Sequence, residues 1–110
     1  MKILLLGSDG MLGHVVKLYF EEQGYEVVCT NRKNKRSKLY FDIIDSVTGI
    51  EKIVTENNPD ILINCIGILN KVAEENKALA VLINSYLPHY LDELSSNFDF
   101  KFLHVSTDCV

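Results

Sequence analysis

The stretch from residue 2 to residue 24 constrains the fold of this chain more than any other. Lys2 is followed by an unbroken apolar run, Ile3-Leu4-Leu5-Leu6, and then by Gly7-Ser8-Asp9-Gly10-Met11-Leu12-Gly13. Leu12, Val15, Val16, Tyr19 and Phe20 recur at helical spacing after it, and Gly24 supplies a stop. A strand with no polar alternation is buried on both faces, which is the mark of a parallel sheet sandwiched between helices. The first strand therefore predicts layers above and below it before the rest of the chain is read.

The rest continues the alternation. Residues 26–30 predict a second strand, and a basic polar stretch from Asn31 to Lys38 leads to a third over 39–43. Residues 46–56 predict a helix with Val47, Ile50, Ile53 and Val54 on one face, broken by Asn57-Asn58-Pro59-Asp60. Residues 61–64 predict a fourth strand and residues 72–96 a long helical stretch, which Pro88 should kink or restart. Residues 100–106 predict a fifth strand. The fold class that follows is α/β, a single Rossmann-type domain over residues 1–110. Its doubly wound parallel sheet has about five strands in the order 3-2-1-4-5, with helices on both faces.

Bulk properties narrow the function classes. The net charge of −4 argues against a general nucleic-acid binder. No apolar run approaches the roughly 20 residues that span a bilayer, and Ile3 to Leu6 is shorter than the roughly 7–15 residues of a secretory core. Cys29, Cys65 and Cys109 are odd in number and widely spaced, with no metal-ligand pattern. They read as small buried hydrophobes in a reduced, cytoplasmic setting, and no metal is expected.

The spacing G-x-x-G-x-x-G at a strand-to-helix junction points to a dinucleotide. Gly7 lets the chain turn out of the strand, Gly10 lets backbone approach a pyrophosphate, and Gly13 lets the helix pack near the sheet. The helix N-terminus then offers free N–H groups to the phosphates. Asp9, Met11 and Leu12 lie within this loop and join the glycines as candidate cofactor contacts. A tight turn without a ligand is the competing reading. The absence of G-x-x-x-x-G-K-[ST] disfavours an ATP-hydrolysing loop.

After the second strand, Thr30-Asn31-Arg32-Lys33 holds no carboxylate for the ribose hydroxyls of NAD. Arg32 and Lys33 instead suit a 2′-phosphate, so NADP(H) is preferred, with NAD(H) the alternative. A merely solvated basic loop over 32–38 is the competing reading. Asp42 and Ile43 are candidates for the adenine edge and ring. Cys65, Ile66, Gly67 and Ile68 should run beside the cofactor at the carboxyl end of the fourth strand. His14 and His89 read as helix-surface and structural residues, and His104 as an interior strand residue.

The order of these motifs resembles the extended short-chain dehydrogenase/reductase family, and within it dTDP-4-dehydrorhamnose reductase and related sugar-nucleotide reductases. The residues that carry the resemblance are Gly7 to Gly13, Asp42-Ile43, Asn64-Cys65-Ile66-Gly67, Asn84 and Ser106-Thr107-Asp108-Cys109-Val110. The resemblance implies hydride transfer between a nicotinamide and a nucleotide-linked sugar, typically in polysaccharide biosynthesis. It implies that Asn84 and Ser106 lie near the cofactor. It further implies that Thr107 polarises the substrate oxygen and that Asp108 sits beside it as the second catalytic candidate.

The family's tyrosine, followed four residues on by lysine, has no counterpart: none of Tyr19, Tyr25, Tyr40, Tyr86 and Tyr90 has that partner. The chain thus reads as a truncated, N-terminal portion that binds cofactor without turning over substrate alone. An epimerase or dehydratase of the same family and a non-catalytic dinucleotide-binding module are the alternatives. With neither nucleic acid nor membrane as a partner, the expected associations are a nucleotide-linked sugar and, through an exposed fifth strand, a second copy in a homodimer.

Overall fold

The computed structural model describes residues 1–66 and 75–105. Among these, four strands, β1 (Lys2–Leu6), β2 (Glu26–Cys29), β3 (Ile61–Asn64) and β4 (Lys101–His104), form one parallel sheet in the order β2-β1-β3-β4. β1 lies at its centre, with Leu4 beside Val28 on one flank and beside Leu62 on the other. Helix α1 (Met11–Glu22) follows β1, and α2 (Gly49–Asn57) precedes β3. Helix α3 (Lys77–Val81), a π-helical segment (Leu82–Tyr86) and α4 (Leu87–Phe98) lead into β4.

The two-sided burial expected of the first strand is present. Alternate side chains point to opposite faces. Ile3 and Leu5 pack with Val16 and Phe20 of α1. Leu4 and Leu6 pack with Ile50, Ile53 and Val54 of α2 and with Leu87, Leu91 and Leu94 of α4. Ile3, Leu4, Leu5 and Leu6 are fully buried, each contributing about 1.5–3 kcal/mol by removal from water.

Local sequence closes the elements as expected at the end of α1. Gly24 adopts φ 88°, its N–H donates to Glu21 O at 3.1 Å, and the Tyr25 N–H donates to Phe20 O at 3.1 Å. This pair of bonds is a Schellman motif. Its customary apolar contact is made by the Phe20 and Tyr25 rings, edge to face at 5.4 Å.

The doubly wound class stands, and the four strands keep the expected relative order, but the predicted third strand over 39–43 needs correction. It reaches β2 only through an isolated parallel bridge, Asn31 to Tyr40. Side-chain oxygens in and around it draw backbone N–H groups into local turns. Asn31 Oδ1 accepts from Asn34 N–H, Asn34 Oδ1 from Arg36 N–H, Ser37 Oγ from Leu39 N–H, and Asp42 Oδ1 from Ile44 N–H. Such local bonds favour turns over a ladder.

A new α-helical segment starts at Pro88, as expected: α4 begins at Leu87 with the proline in its first turn. Helical backbone runs through the proline, and the turn before it widens, with Leu87 N–H donating to Leu82 O in the i to i−5 pattern of a π-turn. In α geometry the proline ring would crowd the carbonyl of Asn84, and proline brings no N–H to it.

β4 lies at one edge of the sheet among the described residues. Leu103, level with Ile63 on the α1 face, is 51% exposed, because α1 covers β1 and β2 and does not reach it. The polypeptide of residues 1–110 on its own is expected to self-associate through this edge, and Leu103→Lys is expected to weaken that association. Sedimentation velocity checks it: a wild-type monomer at crystallisation concentrations contradicts the expectation.

Candidate functional site

The carboxyl ends of β1, β2 and β3 open into one cleft of about 410 Å³, within the range usual for small-molecule sites. It lies where the chain leaves β1 for β2 on one flank and later crosses to β3 on the other. In open α/β sheets this switch of direction is where ligands collect. Three loops build its floor and walls, one after each strand, and residues 41–44 close the side beyond β2.

Gly7, Ser8, Asp9 and Gly10 form the floor. Gly7 takes φ 85°, and a Cβ there would sit 2.8 Å from Cys65 C and Ile66 N, so the loop is wedged against the end of β3. Gly13 is buried beneath the same loop and does not line the cleft. Its Cβ would lie 1.9 Å from Gly7 O. Gly10 differs from both. Its φ of −77° and ψ of 164° suit any residue, and the nearest atom to a Cβ would be Gly7 O at 3.7 Å. The fold makes no demand for glycine at position 10; the demand, if any, comes from whatever enters the cleft.

Gly10 is also the N-cap of α1, and no side chain caps that end; the first turn holds no acidic residue. The opening N–H groups of the helix are therefore free of side-chain partners and carry the positive end of its dipole. Met11 and Leu12 are 89% and 41% exposed and are not part of the lining.

At the β2 end, Thr30 is buried and lines the cleft with Asn31 and Arg32. Arg32 is exposed and makes no ion pair among the described residues. Beyond it, Asp42 and the buried Ile43 line the wall. At the β3 end, Cys65 and Ile66 line it. Their turn is held by the fully buried Asn64, whose Oδ1 accepts from Ile66 N–H at 3.1 Å and whose Nδ2 lies 3.1 Å from His104 Nδ1.

The cleft gathers ten of the sequence-predicted cofactor residues and adds Ser8, Phe41, Ile44, Leu79 and Ile83. Leu79 and Ile83 are four residues apart on one helical face, which is the signal that could have placed them together. Asn84 follows Ile83, is exposed, and is not part of the lining. Gly67, Ile68, Ser106, Thr107 and Asp108 lie outside the described residues. His104 is exposed on β4 rather than interior, and among the described residues β4 is an edge strand.

The titratable groups suit binding better than acid–base work. Burial pushes the Cys65 thiol up; burial also raises that of Cys29, against a lowering contact from Ser8. Both thiols stay protonated and weakly nucleophilic. Tyr40 donates to the Asp45 carboxylate, which pushes its phenol up to about 12. Burial, with the Glu51 carboxylate nearby, pushes Tyr90 up to about 12. Neither tyrosine has the lowered pKa that proton exchange near neutrality requires. Among the described residues there is no cluster of metal-ligating side chains, and no helix is long and apolar enough to cross a membrane.

Comparison with known proteins gives concordant matches. Residues 1–110 match the family model described as RmlD substrate binding domain. A curated relative, the probable low-salt glycan biosynthesis reductase Agl14 of Haloferax volcanii, is 30% identical over 115 aligned residues, which take in 100% of this chain and 38% of that protein. A solved dTDP-4-dehydrorhamnose reductase from Clostridium acetobutylicum is 26% identical with a TM-score of 0.74, over 93% of this chain and 34% of that one. A dTDP-4-dehydrorhamnose reductase from Bacillus anthracis, solved in complex with NADP, shares the fold at a TM-score of 0.73 and 20% identity, over 92% and 34% of the two chains. The chain thus spans little more than a third of the length of these relatives.

Proposed function

The chain belongs to the RmlD substrate-binding-domain family, that of dTDP-4-dehydrorhamnose reductase, and from that premise we propose that it supplies the cofactor-binding part of a reductase of nucleotide-linked keto sugars, with NADP(H) preferred. The observation that carries the reading is the uncapped N-terminus of α1, opening into the cleft at a glycine that the fold itself does not require. Free helix N–H groups beside a space without a Cβ suit a diphosphate.

The residues fit the rest of a dinucleotide. The N–H groups of Met11, Leu12 and Gly13 hold the pyrophosphate. Ile43 and Ile44 offer an apolar wall to the adenine, with an Asp42 oxygen beside it. Arg32, unpaired by any described carboxylate, takes the 2′-phosphate with its planar fork. Thr30 and Asn31 complete that end, Cys65 and Ile66 border the nicotinamide half, and Gly67 and Ile68 are assigned to the same half by their place in the sequence. The bound nicotinamide supplies the hydride; the chain binds and orients it. The family resemblance assigns Asn84 and Ser106 to that half as well. Thr107 polarises the sugar oxygen, and Asp108 contacts the sugar. No tyrosine in these 110 residues has a lysine four residues on to serve proton exchange.

Titration with NADPH and NADH tests the reading. Wild type is expected to bind NADPH more tightly. Arg32→Ala is expected to weaken NADPH binding by about 1–3 kcal/mol, the scale of a charge-assisted contact, and to leave NADH almost unchanged. No binding of either nucleotide to the wild-type chain would overturn the proposal.

A further inference from the structure

Five of the chain's eleven lysines and arginines fall between residues 32 and 38: Arg32, Lys33, Lys35, Arg36 and Lys38. Among the described residues, the cations that pair with carboxylates are Lys2, Lys17 and Lys52, so this loop has no ionic partner to offset its self-repulsion. It is nevertheless closed. Asn31 is the residue where its two ends meet. The Asn31 N–H donates to Leu39 O at 2.9 Å, Asn31 O accepts from Phe41 N–H at 2.8 Å, and Asn31 Oδ1 accepts from Asn34 N–H at 3.0 Å. Asn34 continues the chain of clips, its Oδ1 accepting from Arg36 N–H at 3.1 Å. The backbone bonds of Asn31 tie the loop's exit to its entrance, while its side chain fixes the first turn. Arg32, the next residue, lines the cleft.

We infer that Asn31 is a positioning residue for 2′-phosphate selectivity: it holds the basic loop closed with Arg32 facing the cleft, and its influence on the cofactor runs through Arg32. The inference rests on the proposed dinucleotide reading and deepens it. A loop ordered before binding spares the ligand the cost of ordering it. Serine keeps a short oxygen acceptor able to form the same kind of turn, and alanine does not.

The test compares NADPH and NADH affinities of the 110-residue chain for wild type, Arg32→Ala, Asn31→Ala, Asn31→Ser and the double variant Asn31→Ala/Arg32→Ala. Asn31→Ala is expected to lower the NADPH-over-NADH preference about tenfold, and Asn31→Ser to restore most of it. The double variant is expected to match Arg32→Ala, because a residue acting through another adds nothing once that other is gone. Asn34→Ala removes the next clip in an exposed turn, where folding is not at stake, and is expected to lower the preference in the same direction. If Arg32→Ala abolishes the preference while Asn31→Ala and Asn34→Ala keep it, the positioning role is overturned and the dinucleotide reading stands. If wild type binds neither nucleotide, both fall.

Discussion

Gly13→Ala is expected to cost the domain about 3 kcal/mol or more, enough to remove most cooperative unfolding from a chain of this size. The added Cβ would lie 1.9 Å from Gly7 O, 2.7 Å from Gly7 C and 3.0 Å from Ser8 Cα. All three are backbone atoms, so no side chain can swing aside. The loop cannot retreat either, because Gly7 is itself pressed against the carboxyl end of β3, with Cys65 C and Ile66 N only 2.8 Å from where its own Cβ would be. Relief requires α1 to lift off the sheet, which exposes Ile3 and Leu5 on the face it covers. Alanine's better helix propensity, about 1 kcal/mol over glycine, works the other way and is outweighed. Urea denaturation followed by circular dichroism checks this; a midpoint close to wild type would show that the loop has slack the packing does not display.

The features read most directly from the sequence are those with a single physical cause. Ile3 to Leu6 admits no exposed face, so helices above and below were implied by four residues. Gly7 and Gly24 stand where only a positive φ lets the chain turn, and both take it. The third strand was misread because Leu39, Tyr40, Phe41 and Ile43 have strand-type side chains, while the outcome is decided by Asn31, Asn34, Ser37 and Asp42. Their oxygens take the backbone N–H groups nearby. Propensity speaks for the residue that carries it, and the competing bond comes from a neighbour two or three residues away.

The helical stretch before β4 shows a second limit. Its apolar positions mark a buried stripe, but periodicity does not say which surface covers each residue. Leu87, Leu91 and Leu94 went to the core, whereas Leu79 and Ile83 border the cleft. The same limit applies to His104. Alternation with Leu103 suggested an interior residue; it is exposed, and among the described residues β4 lies at an edge, which is a property of the sheet order rather than of the strand.

Gly10→Val is expected to give the opposite signature to Gly13→Ala: a folded domain that no longer binds a dinucleotide. Its backbone angles lie in the extended region open to every residue, and protein atoms leave room for a Cβ. Losing the extra freedom of glycine in the unfolded chain even favours the variant, by about 0.4–1 kcal/mol in comparable substitutions. Stability is thus expected to stay within about 1 kcal/mol of wild type. Binding depends on the space itself. A diphosphate hydrogen-bonded to the first N–H groups of α1 must come within contact distance of the Gly10 backbone, where two branched methyl groups would stand. A lost pair of charge-assisted hydrogen bonds, at about 1.5–3 kcal/mol each, predicts a fall in affinity of at least about 100-fold for NADPH and NADH alike. That equality separates this variant from Arg32→Ala, which is expected to act on NADPH alone. Calorimetry on folded Gly10→Val decides the matter: affinity within a few-fold of wild type would mean that the phosphates lie elsewhere, and the uncapped end of α1 would lose its assigned role.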